Sequence, residues 1–312
     1  MTQGDPEGIG PELLLSLAAD GALSPADRVV ADPRVLDRVA AVLKTPWAPA
    51  GRAALDGRII EIAPQADAGH SQVAALRRGV DCVLAAPGAA LVTAPIDKHA
   101  CAGAGFGYPG HTEYLAARAK TEDFAMFMVG PRLRVALATI HIALAQVPAR
   151  LTADGIARVV HLVVHALRRD FAIARPRVAV LGLNPHAGEQ GELGTEEQTL
   201  IGPAVEALAS KYQDVAEIVG PLPADTAFAA HAQGGLDAVV AMFHDQGLGP
   251  FKVLHFDDGI NVTLGLPFVR TSPDHGTAKD IAGQGIASSS SMRAALVGAR
   301  RLAATRARDS ER

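Results

Sequence analysis

Aromatic side chains make up only 4% of this chain, and it has two cysteines and one tryptophan. The core must therefore be filled by Ala, Val and Leu, the usual packing of strand–helix layers. A hydrophobic content of 49% is ample for that. Cys82 and Cys101 form no CxxC pair, so no disulfide framework or oxidising compartment is implied. No apolar run approaches the eighteen or so residues that a membrane helix needs. The opening stretch MTQGDPEGIG lacks the basic and apolar regions of a signal peptide. A soluble, cytoplasmic protein with no membrane partner is expected. Net charge is −4 with no long basic run, which argues against nucleic acid as a partner. No GxGxxG turn follows a strand, so the usual dinucleotide fingerprint is missing too.

What is present reads as α/β, in two subdomains or one large unit for 312 residues. Residues 4–11 (GDPEGIGP) form a Gly-rich turn that feeds a helix from Pro11; it either holds an anion or packs closely. Strands are expected at 27–32, within 81–93, and at 133–140, 177–183, 217–220 and 236–243. Helices are expected at 33–43, 69–78, 113–119, 152–169 and 196–210, and after Ser291. Residues 47–67 are punctuated by Pro and Gly and weakly patterned, and 220–226 read as a stiff loop carrying Asp225. Thr112, after Pro109-Gly110-His111, suits an N-cap as well as a ligand, whereas His111 has no evident packing role. His161 and His165 lie i, i+4 on a helix, but without a zincin glutamate they read as surface or core-edge residues.

The densest chemistry lies in 236–287. An apolar run ends on His244-Asp245-Gln246-Gly247, and Lys252, Asn261, Arg270, Asp274 and His275 follow among Gly and Pro, a pattern read as functional loops. His141 and His186 likewise follow the ends of apolar runs. If those strands are parallel, all three imidazoles leave one sheet edge, where ligands bind in open α/β sheets. Three histidines with an open fourth position suit zinc and its first-row neighbours. Lys252, Arg270 and Lys98 suit phosphate or carboxylate. The combination suggests chemistry on a small phosphorylated hydroxy acid, but spacing does not choose between hydride transfer and hydrolysis.

The motifs GDPEGIGPE, TAPIDK, PGHTE, LGLNPHAGEQG, GPLPADT, FHDQG and GINVTLGLPFVRTSPDHGTA span nearly the whole chain. In that order they resemble the 4-hydroxythreonine-4-phosphate dehydrogenases of pyridoxal phosphate biosynthesis. The resemblance implies NAD-dependent oxidation and decarboxylation of 4-phosphooxy-L-threonine to 3-amino-2-oxopropyl phosphate. It implies one divalent metal (Zn, Mg or Co) on His141, His186 and His244. Substrate contacts would be His111, Thr112, Lys252, Asn261 and Arg270, with Asp225 and Lys252 in catalytic roles. The implied fold is the two-subdomain α/β/α fold of isocitrate and isopropylmalate dehydrogenases, with the site in the interdomain cleft. Residues 1–120 and 268–312 would form the first subdomain and 121–267 the second. The segment DHGTAKDIAGQGIAS resembles their adenosine-binding loop, implicating His275, Gly276, Thr277 and Ala278; Ser288 departs from their Asn and is not carried over. A homodimer with a shared active site is also implied, one metal ligand coming from the partner. The family has a strand ahead of GDPxGIGP, and here only Met1-Thr2-Gln3 precede it, leaving one sheet position open.

Three alternatives remain at this level. A relative oxidising 4-phospho-threonate or erythronate would share every motif. A metal-dependent hydrolase would not need the DHGTA loop, and a non-catalytic phosphosugar binder would not need three convergent histidines.

Overall fold

A computed structural model describes residues 1–310. The chain divides into two compact units, Met1–Glu122 with Leu266–Ala303, and Asp123–Gly265 with the chain from Ala304 on.

In the first unit β1 (Val29–Ala31) pairs with β2 (Ile59–Glu61), and β3 (Ala90–Val92) with β10 (Val269–Pro273), both in parallel. Thr2 lies between the pairs, bridged in parallel to Val30 and Thr93. Its N–H donates to the Val92 carbonyl, and the Gln3 N–H to Val30. Residues 1–3 thus fill the open sheet position. The helices are α1 (Gly10–Ala19), α2 (Pro33–Val42), α3 (Trp47–Ala54), α4 (Ala68–Ala85), α5 (Lys98–Gly103) and α6 (His111–Ala119). Asp32, Asp67 and Asp97 cap α2, α4 and α5 by accepting backbone N–H bonds. Leu13, Leu14, Leu15 and Leu17 are all fully buried, so α1 is enclosed on every side.

The strand expected within 81–93 is β3, and residues 81–85 continue α4, because Val73, Leu76, Val80 and Val83 keep burying one helical face. The weakly patterned 47–67 holds both α3 and β2.

The second unit holds β4 (Ala125–Val129), β5 (Arg134–Leu137), β6 (Arg177–Leu181), β7 (Glu217–Leu222), β8 (Ala238–Ala241) and β9 (Ile260–Leu264), in the order β9-β4-β5-β8-β6-β7. β4 runs antiparallel to both neighbours; β5, β8, β6 and β7 are mutually parallel. Helices α7 (Val147–Arg150), α8 (Ala153–Arg169), α9 (Gly202–Tyr212), α10 (Ala224–Ala232) and α11 (His244–His255) accompany them. Val135, Leu137, Leu181, Val239, Leu248 and Phe251 belong to one core cluster.

Helix α11 replaces what the Gly/Pro-rich sequence presents as loop. A Cβ on Gly247 would stand 2.7 Å from Leu137 and 2.9 Å from Val135. That glycine therefore marks close helix-on-sheet packing, not a turn. Asp225 likewise sits in the first turn of α10 rather than in a loop. The final helix α12 (Ser290–Ser310) belongs to the first unit through Ala303. From Ala304 it belongs to the second, although all of 268–312 was expected in the first; there Arg306 pairs with the buried Asp170 at 2.7 Å. No helix among the described residues is long and apolar enough to cross a membrane.

Candidate active site

The three histidine-bearing strands are adjacent and parallel, in the order β5-β8-β6. His141 follows β5 by four residues, His186 follows β6 by five, and His244 follows β8 by three as the first residue of α11. The His141 and His244 rings lie 5.8 Å apart on this chain. His244 Nδ1 meets Asp245 Oδ1 at 2.7 Å, and His186 Nδ1 meets Glu189 Oε2 at 2.7 Å. A carboxylate on Nδ1 fixes the tautomer and leaves Nε2 as a ligand, which fits a divalent cation. No group of three or more His, Cys, Asp or Glu that could hold a metal ion is formed among the described residues.

His186 rides on an unusual backbone. His186, Ala187, Gly188, Glu189 and Gln190 have φ of 53°, 53°, 84°, 44° and 57°, a left-handed turn. For each non-glycine this costs roughly 1–2 kcal/mol. The counterweight is Glu197, 4% exposed, at the head of a π-helical turn, Glu197–Ile201. Its Oε1 accepts the Leu183 and Asn184 N–H groups, both at 2.7 Å, and its Oε2 accepts Asn184 Nδ2 at 3.0 Å. His141, at φ 49°, is a second left-handed non-glycine at this edge.

The other expected residues of this unit lie on other elements or further along α11. Lys252 is eight residues into α11, about 12 Å along its axis from His244. Asn261 is the second residue of β9 and pairs with Met128, which also pairs with Val135. It therefore lies inside the sheet, two residues below the end of β5, with Oδ1 enclosed and unpartnered. Asp225 is exposed, and its Oδ1 accepts the Thr226 N–H at 2.9 Å. His161 and His165 are exposed on α8, and His161 Nδ1 meets the Tyr212 hydroxyl at 2.7 Å.

In the first unit Gly110, not Thr112, is the N-cap of α6, and no side chain caps that helix. Its opening N–H groups, at the positive end of the helix dipole, suit an anion. Buried Arg270 donates Nε and Nη2 to Thr93 Oγ1 at 3.1 and 2.6 Å. Burial lowers its pKa to about 10, against the opposing pull of Glu113. Burial also holds His111 well below the ordinary imidazole value, with Arg270 and Lys98 adding repulsion. His111 Nε2 is enclosed without a partner. A buried guanidinium, a lysine, a neutral imidazole and a helix N-terminus suit phosphate or carboxylate chemically.

The loop after β10 carries the DHGTA motif. His275 Nδ1 meets the Gly276 carbonyl at 3.0 Å, and Nε2 is enclosed without a partner. Ala278 is left-handed at φ 44°. The Ile9 N–H donates to the Thr277 carbonyl at 2.9 Å, and a Cβ on Gly8 would lie 2.7 Å from that oxygen. Lys279 Nζ reaches Asp97 at 2.6 Å, Asp5 at 3.2 Å and Glu7 at 3.5 Å. The Lys279 hydrogen bond, with the Ala100 N–H, holds the Asp97 carboxyl below its usual range. One lysine thus ties the GDPEG, TAPID and DHGTA segments together.

Residues 27–299 match the family described as pyridoxal phosphate biosynthetic protein PdxA. The chain is 45% identical to a 4-hydroxythreonine-4-phosphate dehydrogenase from Desulfosudis oleivorans, over 95% of this chain and 93% of that one. The chain belongs to the PdxA family. Its fold is that of the solved 4-hydroxythreonine-4-phosphate dehydrogenase from Klebsiella pneumoniae, with TM-score 0.83, 40% identity and 96% of each chain covered. A terephthalate 1,2-cis-dihydrodiol dehydrogenase from Burkholderia xenovorans is similar at 28% identity and TM-score 0.63, covering 97% of this chain and 96% of that one.

Several residues shape the candidate site of this PdxA-family chain without standing among the expected site residues. Gln246 accepts the Met242 N–H at 2.7 Å and donates to the Gly182 carbonyl at 2.8 Å, joining the ends of β8 and β6. Thr139 donates to the Met242 carbonyl at 2.6 Å. Thr93, Lys279 and Glu197 act through equally specific bonds. Gln246 and Thr139 lie within two residues of a candidate histidine, a signal that sequence alone offered; Glu197 offers none.

Proposed function

We propose that this chain is an NAD-dependent dehydrogenase that oxidises the C3 hydroxyl of 4-phosphooxy-L-threonine and releases C1 as carbon dioxide, giving 3-amino-2-oxopropyl phosphate. The observation that carries the reading is a set of enclosed polar atoms without partners, His111 Nε2, Asn261 Oδ1 and His275 Nε2. Each such atom costs roughly 1–3 kcal/mol unpaired, and a bound ligand would offset that. The names of the full-length relatives support the same substrate.

In this reading Arg270, Lys98, Thr112 and the start of α6 bind the anionic ends of the substrate, and neutral His111 hydrogen-bonds through Nε2. Asn261 orients the substrate. Lys252 Nζ and the Asp225 carboxylate are the candidates for moving the proton of the C3 hydroxyl. His141, His186 and His244 hold one divalent cation, zinc, magnesium or cobalt, which supplies Lewis-acid stabilisation of negative charge on the substrate. The His275–Ala278 segment holds the adenosine half of NAD. The active form is a homodimer in which the histidines of one copy serve a substrate held partly by the other.

One observation favours a second reading, a dehydrogenase for a different substrate such as 4-phospho-threonate or erythronate. The similar Burkholderia structure is named for a different substrate. NADH formation with 4-phosphooxy-L-threonine and 4-phospho-threonate, each with Zn, Mg or Co, separates the two. The proposal expects the threonine derivative to win in kcat/KM by at least about tenfold, a difference of about 1.4 kcal/mol. The reverse order overturns it, and phosphate release without NADH would indicate a hydrolase.

A further inference from the structure

The segment carrying His186 has five consecutive left-handed residues, and one buried side chain holds its entrance and packs against its middle. The entrance is the stretch from β6 to Asn184, whose Leu183 and Asn184 N–H groups both donate to Glu197 Oε1 at 2.7 Å. The middle is Gly188, where an added Cβ would stand 2.6 Å from Glu197 Oε2. Gly182 completes the fit: a Cβ there would meet Ala187 Cα at 2.8 Å and Glu197 Oε1 at 3.1 Å. Two neighbours of Glu197 hold further points. Glu196 Oε2 accepts Asn184 Nδ2 at 2.8 Å, and Gln198 Nε2 donates to the Gln190 carbonyl at 2.8 Å.

Five consecutive left-handed residues persist only where their surroundings over-determine them, and such strain gathers at ligand sites. The irregularity on the opposing side agrees: Glu197 opens a π-helical turn, a feature frequent at functional sites. We infer that Glu197 is a positioning residue, whose buried carboxylate fixes the left-handed turn so that His186 Nε2 is presented as a metal ligand. This rests on the reading of His186 given above. Glu197 acts through the Leu183–Asn184 backbone and the glycine beneath it. Glutamine keeps the shape and one acceptor oxygen, but its NH₂ group would face the NH₂ of Asn184. Asn184 could flip to accept it only by giving up its bond to Glu196.

The test is Co²⁺ titration of the metal-stripped full-length protein, followed by visible absorption, for wild type and for Glu197→Gln, Glu197→Ala and His186→Ala. Amide exchange at Leu183 and Asn184 is measured alongside. The expected result is a 10–100-fold weaker Co²⁺ affinity and an altered absorption band in Glu197→Ala. Glu197→Gln should fall between that and wild type, and exchange should rise in the same order. Should Glu197→Ala not fold, Asn184→Ala, which removes one of the three donors, is read in its place. Wild-type Co²⁺ affinity and spectrum in Glu197→Ala or Asn184→Ala, with binding lost in His186→Ala, overturns the role of Glu197 and leaves His186 as a ligand. Unchanged binding in His186→Ala instead overturns the ligand reading itself, and the inference falls with it.

Discussion

Burial lowers the pKa of His231 as well as that of His111, and Arg134 adds repulsion at His231 as Arg270 and Lys98 do at His111. Both imidazoles are kept neutral in the folded chain, while the unfolded chain titrates them near pH 6.5. The unfolded state therefore binds more protons as the solution is acidified. The stability that depends on these groups is intact above about pH 6.5 and is lost as pH falls from there through the folded values. The slope reaches about 1.4 kcal/mol per pH unit for each histidine. Urea unfolding at pH 7.5 and pH 5.5 should show that loss. His231→Gln should reduce it, because a glutamine oxygen can still accept the Arg134 N–H that now reaches His231 Nε2 at 2.7 Å. The same pH dependence in His231→Gln would show that this histidine is not among the groups responsible.

At the scale of elements, the loop carrying DHGTA depends on Lys279. Asp5 is almost wholly buried, its side chain 1% exposed, and Lys279 is its cation. Lys279→Met should loosen the loop and raise KM for NAD on the order of tenfold, about 1.4 kcal/mol of binding, with little change in KM for the phosphorylated substrate. Initial-rate kinetics with each substrate varied in turn decide it; a shift confined to the phosphorylated substrate would assign the loop to that substrate. The strand ends were legible because LRVALATI, RVAVLGL and LDAVVAMF are apolar runs that stop close to a histidine, and the structure makes those strands parallel neighbours. The left-handed turn was not legible, since Ala187, Glu189 and Gln190 are not residues that mark φ above zero. Helix α11 was hidden by Gly247, Gly249 and Pro250, read as turn formers although tertiary packing made the segment helical. The residues suited to an anion were half legible: His111 and Arg270 stood out, but Thr93 gave no sign that it would hold the guanidinium.

For the whole molecule, the division of labour between chains is the point at issue. The proposed dimer pairs the histidines of one copy with the Arg270 and His111 region of the other. Co-expression of His141→Ala with Arg270→Ala should then restore activity, up to about a quarter of wild type for random pairing into a C₂ dimer. A demonstrably mixed dimer with no activity would place a complete site on each copy. The central claim is hydride loss from C3 followed by loss of C1. Its most direct test is 4-phosphooxy-L-threonine deuterated at C3, incubated with the purified protein, NAD and a divalent metal. The account predicts deuterium in the NADH formed, with carbon dioxide and 3-amino-2-oxopropyl phosphate in equal amounts. Deuterium left on the organic product, or inorganic phosphate released without NADH, would contradict it.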